Sequence, residues 1–256
     1  MTSAISGRLV CLGDSFTEGV GDEDPRYPNG VRGWADRVAE ELAAHTPGFL
    51  YANLAVRGKL AGQILGEQLE PALDLRPELV TLYAGGNDLM RPKVDIDGLL
   101  EDYDKAVARL AESGAKVVLF TGVDGVEDAL FRKMRGRVAI YNEHVRLMAA
   151  RRGATLVDMW AMRSLRDRRL WSADRLHLNA LGHTEVAVAV LDALGAPHSL
   201  KPADLGPRET VDPRTRRREN IAWAKAHALP WVRRRLRGES SGDTVRAKRP
   251  ALAPVE

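Results

Sequence analysis

A chain of 256 residues, 45% hydrophobic and 29% charged, is long enough for one packed domain of about 200 residues plus an extension. No apolar stretch reaches the roughly 20 residues that span a bilayer, and Met1-Thr2-Ser3-Ala4-Ile5-Ser6 has neither the basic start nor the apolar run of a signal peptide. The net charge of +3 is unevenly spread: residues 201–256 hold 14 Lys and Arg against 7 Asp and Glu, which leaves the first 200 at −4. The sequence pI of 9.1 therefore belongs to the tail, and a mildly acidic body gives no reason to expect nucleic acid as a partner. The single cysteine, Cys11, has no partner for an internal disulfide and reads as an inert core residue, which fits a reducing cytoplasm.

Arg8 to Leu12 reads as a buried β-strand that breaks into a glycine-rich, acidic loop at Phe16 to Asp22. At the junction stands Gly13-Asp14-Ser15. A serine there can lift its hydroxyl above the sheet edge while its own N–H faces the same space, which supplies a nucleophile and half of an oxyanion site. Trp34, Val38 and Leu42 mark a helix over Arg32 to His45, stopped by Thr46-Pro47-Gly48. A second strand covers Phe49 to Leu54, followed by Ala55-Val56-Arg57-Gly58. Ile64, Leu65, Leu69 and Leu73 mark the next helix, and Leu79 to Tyr83 a third strand that runs into Ala84-Gly85-Gly86-Asn87-Asp88. A helix over Ile96 to Ser113 is punctuated by Gly114. The fourth strand is Lys116 to Phe120, and a long helix spans Phe131 to Arg151. Thr155 to Asp158 is the fifth strand, and the last helix of the body covers Leu181 to Leu194.

Five apolar strands alternating with helices predict a parallel sheet buried on both faces, a three-layer α/β/α domain over residues 1–200. Residues 201–256 form a basic C-terminal extension. A helix is expected over Arg216 to Leu229, with Ile221, Ala224 and Ala228 on one face; Pro230-Trp231-Val232 interrupts it, and Arg233 to Arg237 is strongly basic. From Gly238 the composition reads as disordered. Three readings of the extension stand open: docking of the Ile221, Trp223 and Trp231 segment onto the body, a disordered tail, or contact with an anionic membrane surface or nucleic acid.

In a parallel α/β sheet, ligands sit where the strand-to-helix loops converge at the carboxyl ends of the strands. Ser15, Gly58, Asn87 and the segment Ser172-Ala173-Asp174-Arg175-Leu176-His177 all fall in such loops. Ser15 then has a base in His177, and Asp174 can hold that ring through its second nitrogen. The N–H of Ser15, the N–H of Gly58 and the side-chain amide of Asn87 are the candidate oxyanion donors. Against each stands a plain structural role: Ser15 as a turn or cap residue, Asp174 as a helix cap, Asn87 and Gly58 as loop chemistry. Asp14 and Asp88 are expected to organise their loops through backbone hydrogen bonds. His144 and His183 have no ligand-spaced partners, and no zinc pattern occurs. Gly19-Val20-Gly21 lacks the third glycine of a dinucleotide loop, and Gly13-Asp14-Ser15-Phe16-Thr17 lacks the second glycine of an α/β-hydrolase elbow.

These blocks resemble the SGNH hydrolases, the GDSL-type esterase and lipase family. Gly13-Asp14-Ser15 resembles its first block, Gly58 the second, Gly85-Gly86-Asn87-Asp88 the third and Asp174-Arg175-Leu176-His177 the last, over about 195 residues; Phe16 stands where the family name has Leu. The loop Glu18 to Asp22 and the Arg91-Pro92 step further resemble actinobacterial members. The resemblance implies a flavodoxin-like sheet, no metal and no cofactor, and hydrolysis of esters or thioesters through an acyl-enzyme, with carboxylic esters favoured. Small acyl esters are the favoured substrates, and Trp34 and Arg91 are placed at the pocket. Deacetylation of a carbohydrate, lysophospholipase or thioesterase activity, or a non-catalytic ligand-binding module are the alternatives. The oligomeric state is not legible.

Overall fold

The computed structural model describes residues 7–126, 129–208, 212–230, 233, 237 and 240–255. The strands are β1 (Arg8–Leu12), β2 (Leu50–Asn53), β3 (Leu79–Leu82), β4 (Lys116–Phe120), β5 (Thr155–Val157) and β6 (Arg249–Pro254). The helices are α1 (Ser15–Glu18), α2 (Gly33–His45), α3 (Ala61–Asp74), α4 (Gly86–Leu89), α5 (Ile96–Glu112), α6 (Ala129–Arg152), α7 (Ala180–Leu194) and α8 (Pro213–Trp223).

All of β1 beyond Arg8 is buried, which requires cover on both faces of the sheet. Successive side chains go to opposite layers. Val10, Leu12, Val80, Leu82, Val117 and Leu119 pack with α3, α5 and α6. Leu9, Cys11, Val118 and Phe120 pack with α2 and α7, where Trp34 and Val38 are fully buried. The sheet order is β5-β4-β3-β1-β2-β6. Its five parallel strands have the flavodoxin-like order 2-1-3-4-5, so β1 and β3 flank the switch point at which such sheets hold ligands.

The sixth strand corrects the expectation of a five-stranded sheet and of disorder from Gly238. β6 runs antiparallel to β2, with Tyr51 opposite Ala253 and Asn53 opposite Arg249. Pro250 and Pro254 hid it: proline cannot donate to a ladder and is tolerated at an edge, which is where β6 lies. Just before it, the ammonium of Lys248 is fully buried. It donates to Asp36 Oδ2 at 2.5 Å, to the Arg32 carbonyl at 2.6 Å and to the Glu18 carbonyl at 3.0 Å. Earlier in the extension, Asp212 caps α8 by accepting from the Thr215 N–H at 2.8 Å, and the helix continues as a π-helical turn over Ala224–Ala228. Of the three residues expected to dock, Trp223 does so, Ile221 is 50% exposed, and Trp231 lies outside the described residues, as do Arg234, Arg235, Leu236 and Met1 to Ser6.

Candidate active site

The run after β1 is a helical turn rather than a loop. Asp14 is its N-cap, with Oδ1 accepting from the Phe16 N–H at 3.1 Å, so Ser15 becomes the first residue of α1. The N–H of a first helical residue has no acceptor within its own helix. Asp14 Oδ2 accepts from the amide of Asn87 at 3.1 Å. Burial pushes the Asp14 carboxyl up to about 6.

Across the sheet edge, Ser15 Oγ lies 2.9 Å from His177 Nε2, and His177 Nδ1 lies 2.6 Å from Asp174 Oδ2. Since Asp174 accepts at Nδ1, that nitrogen carries the proton, which leaves Nε2 to take the one on Ser15. The other oxygen, Asp174 Oδ1, accepts from Ser172 Oγ at 2.6 Å, from the Leu176 N–H at 2.9 Å and from the His177 N–H at 3.0 Å. Burial opposes the charge of Asp174. The hydrogen bonds and charge of His177, helped by Ser172, outweigh burial and hold the carboxyl well below the usual carboxylate range. Asp174 is therefore an anion at neutral pH and fixes both the tautomer and the tilt of the ring.

The approach of the two loops depends on Gly21. Its φ is +98°, and a Cβ there would meet the Leu178 carbonyl at 2.2 Å and His177 Cβ at 3.0 Å. Only a residue without a side chain lets the segment after α1 lie flat against the histidine.

The other candidate donors are less simply placed. Asn87 lines the cavity, but its amide donates to Asp14 Oδ2 and, at 3.0 Å, to the Lys59 carbonyl. Turning it onto an oxyanion means loosening one of those bonds. Gly58 is not among the cavity-lining residues; its φ is +77°, and a Cβ there would meet Ser240 Oγ at 2.2 Å. The Gly58 loop is tied to α1 by Glu18, a fully buried carboxylate that takes the Arg57 N–H at 2.7 Å and the Arg57 guanidinium at 2.6 Å. Asp88 accepts from the Ala61 N–H at 2.9 Å, so Asp14 and Asp88 both hold backbone.

Ser15 and His177 open onto a cavity of about 190 Å³, walled chiefly by apolar side chains including Phe16, Val123, Met134, Leu165 and Trp171. Trp34 does not reach it: the ring is fully buried behind Phe16, 5.4 Å away between centroids. Arg91 is also absent from the wall and exposed, while its neighbour Met90 lines the cavity. Both placements expected from sequence are thus corrected. His183 is buried, with Nδ1 accepting from the Trp34 N–H and Nε2 donating to the Val20 carbonyl, both at 3.2 Å. Burial lowers its pKa to about 4, so it is a neutral core residue; His144 is exposed. Among the described residues, no group of three or more His, Cys, Asp or Glu side chains could hold a metal ion. Nor is any helix among them long and apolar enough to cross a membrane.

Sequence alone did not single out Ser172, Glu18 or Arg57. Ser172 sits two residues before Asp174, a spacing that suits a local hydroxyl–carboxylate bond. The Glu18–Arg57 contact joins positions 39 residues apart and leaves no local signal.

A flavodoxin-order sheet that brings a serine, a histidine and an aspartate into one hydrogen-bonded row at its carboxyl edge defines a class, the SGNH-type hydrolases. The chain belongs to the GDSL-like lipase/acylhydrolase family, whose model matches residues 11–184, and it is an ester hydrolase. Among solved structures, an α/β hydrolase enzyme from the metagenome of Lake Arreo, Spain, is 25% identical, covering 78% of this chain and 100% of its own, with a TM-score of 0.64. An acetylxylan esterase from Geobacillus stearothermophilus is 21% identical over 77% of this chain and 98% of its own, at a TM-score of 0.65. A psychrotrophic esterase from Pseudoalteromonas sp. is 16% identical over 74% and 97%, at 0.58. The last two likenesses are of fold alone. No curated protein sequence matches the chain.

Proposed function

We propose that the chain cleaves carboxylic esters of small acyl groups through an acyl-enzyme on Ser15. Ser15 Oγ attacks the ester carbonyl as its proton passes to His177 Nε2, and Asp174 stabilises the imidazolium. The Ser15 N–H takes the oxyanion together with the Asn87 amide, which turns from the Lys59 carbonyl to do so; Gly58, which does not line the cavity, keeps its loop role. Collapse expels the alcohol, which receives the proton from His177. Water then gives a proton to His177 and attacks the acyl carbon, and the carboxylic acid leaves as Ser15 recovers its hydrogen. The observation that carries this reading is the continuous pair of contacts, 2.9 Å and 2.6 Å, from Ser15 through His177 to Asp174.

The cavity supports a small acyl group. An apolar space of about 150 Å³ is enough for benzene, so about 190 Å³ suits an acyl or aryl group of roughly six to eight non-hydrogen atoms. The apolar wall favours that over a bound sugar ring, although an acetylated carbohydrate whose sugar stays outside the cavity is compatible with the same chemistry. A lysophospholipase or a long-chain thioesterase needs more room for its acyl chain. A cytoplasmic site of action rests on Cys11, a buried thiol whose pKa desolvation pushes up to about 12. Kinship with actinobacterial members rests only on the Glu18 to Asp22 loop and the Arg91-Pro92 step. Nitrophenyl esters graded from acetyl to dodecanoyl test the substrate reading: kcat/KM that peaks at or below about eight carbons supports it, and a rate that keeps rising to dodecanoyl refutes it.

A further inference from the structure

The family match ends at residue 184, and α8 lies beyond it, yet α8 reaches back to the segment that carries Asp174 and His177. The indole N–H of Trp223 donates to the backbone carbonyl of Asp174 at 2.9 Å. The next residue, Arg175, lays its guanidinium over the Trp223 ring, 4.8 Å from the centroid, and donates from Nη1 to Asn220 Oδ1 at 2.7 Å. Both neighbouring contacts come from one face of α8, and both land between the two residues proposed to work on Ser15.

The backbone explains why this turn needs a hold. Arg175 has φ +62°, a conformation that costs energy for any residue with a side chain and persists only where surrounding contacts over-determine it. That twist lets Asp174 turn its carboxylate back onto the N–H groups of Leu176 and His177 while its second oxygen meets the imidazole. If Arg175 relaxed to ordinary backbone angles, Asp174 would swing relative to His177. Displacements of about 1 Å at such a site cost up to about 100-fold in rate.

We propose that α8 is a positioning element of the active site, in which Trp223 and Asn220 clamp the strained Asp174–Arg175 step and so set the aim of His177 at Ser15. Trp223 is a positioning residue and touches no reacting atom. The inference rests on the reading that Asp174 orients His177, and it gives the basic extension a part in the reaction.

The test uses the full-length chain with a short-chain nitrophenyl ester. Trp223→Phe keeps a ring beneath Arg175 and removes only the N–H donor. The expected result is a fall in kcat of about tenfold with KM and melting temperature unchanged. Arg175→Gly is then added to Trp223→Phe; glycine adopts the same backbone angles without strain, and most of the lost kcat returns. An unchanged kcat in Trp223→Phe overturns the proposal. So does a loss that comes with an equal fall in thermal stability, or one that Arg175→Gly does not relieve. Ser15→Ala, assayed alongside, separates the two ideas. If Ser15→Ala is inactive while Trp223→Phe is fully active, only the clamp is wrong; an active Ser15→Ala removes the nucleophile and the clamp's purpose together.

Discussion

Replacing Lys248 by methionine tests whether the C-terminal segment is built into the body. The Lys248 side chain is 0% exposed and Asp36 is 2% exposed, so the substitution strands a buried carboxylate and takes a donor from the buried Glu18 carbonyl and the half-buried Arg32 carbonyl. Removing one partner of a buried pair costs about 3–5 kcal/mol. Arg249 Nε, 3.8 Å from Asp36 Oδ1, remains and places the expected loss near the lower end, about 3 kcal/mol. For a chain of this size that is a fall in melting temperature of roughly 10 °C. The loss depends on pH in a definite direction. Burial pushes the Asp36 carboxyl up to about 6 against its ordinary 3.8, so the stability tied to its protonated form is complete below about 3.8 and lost as pH rises through about 6. Without Lys248 the folded-state value moves higher still, and the deficit of the variant widens from pH 5 to pH 8. Urea unfolding at those two pH values measures it, and adding Asp36→Leu to Lys248→Met restores most of the loss. A deficit below about 1 kcal/mol, or one of the same size at both pH values, refutes the reasoning.

Asp174→Asn lowers kcat by about a thousandfold or more with little change in KM, because the amide favours the wrong imidazole tautomer; steady-state kinetics with a short ester check it, and a loss under about tenfold speaks against the assigned role. Asp174 also links stability to acid. Its carboxyl is held below the usual range, so its contribution is present above about pH 4 and disappears as pH falls further. The stability difference between parent and Asp174→Asn therefore begins to narrow at that pH and goes on narrowing as pH falls further. His183 acts at higher pH. Burial lowers its pKa from 6.5 to about 4, so the stability it confers is intact above 6.5 and fades towards pH 4, by roughly 3 kcal/mol. The difference in unfolding free energy between parent and His183→Gln, followed by denaturant titration, shows that fall; a difference flat from pH 7 to 4 removes it.

The parts legible in the sequence were those whose physics is local. Buried parallel strands read as unbroken apolar runs, and Val10, Val80 and Val118 lie where those runs placed them. The switch-point rule then put Ser15, Asn87 and His177 on one rim without coordinates, and with them Gly58, which does not line the cavity. What stayed hidden depends on partners far along the chain. β6 carries two prolines and too few apolar residues to announce a strand; only its edge position beside β2 makes it one. The turn of α1 exists because the Asp14 side chain caps it. Trp34 looked like a pocket residue but fills the core behind Phe16. The sequence leaves Asn87 open between an oxyanion donor and a loop residue, and its amide is held by Asp14 and Lys59. Trp223 joins Asp174 across 49 positions, which no window of sequence reports.

The most direct measurement of the central claim is the intact mass of the protein after brief exposure to a fluorophosphonate, followed by peptide mapping. A single phosphonyl adduct on the peptide containing Ser15, absent from Ser15→Ala and slow to form in His177→Ala, is the result this account requires. An adduct that forms equally fast in Ser15→Ala, or that maps to another residue, contradicts it.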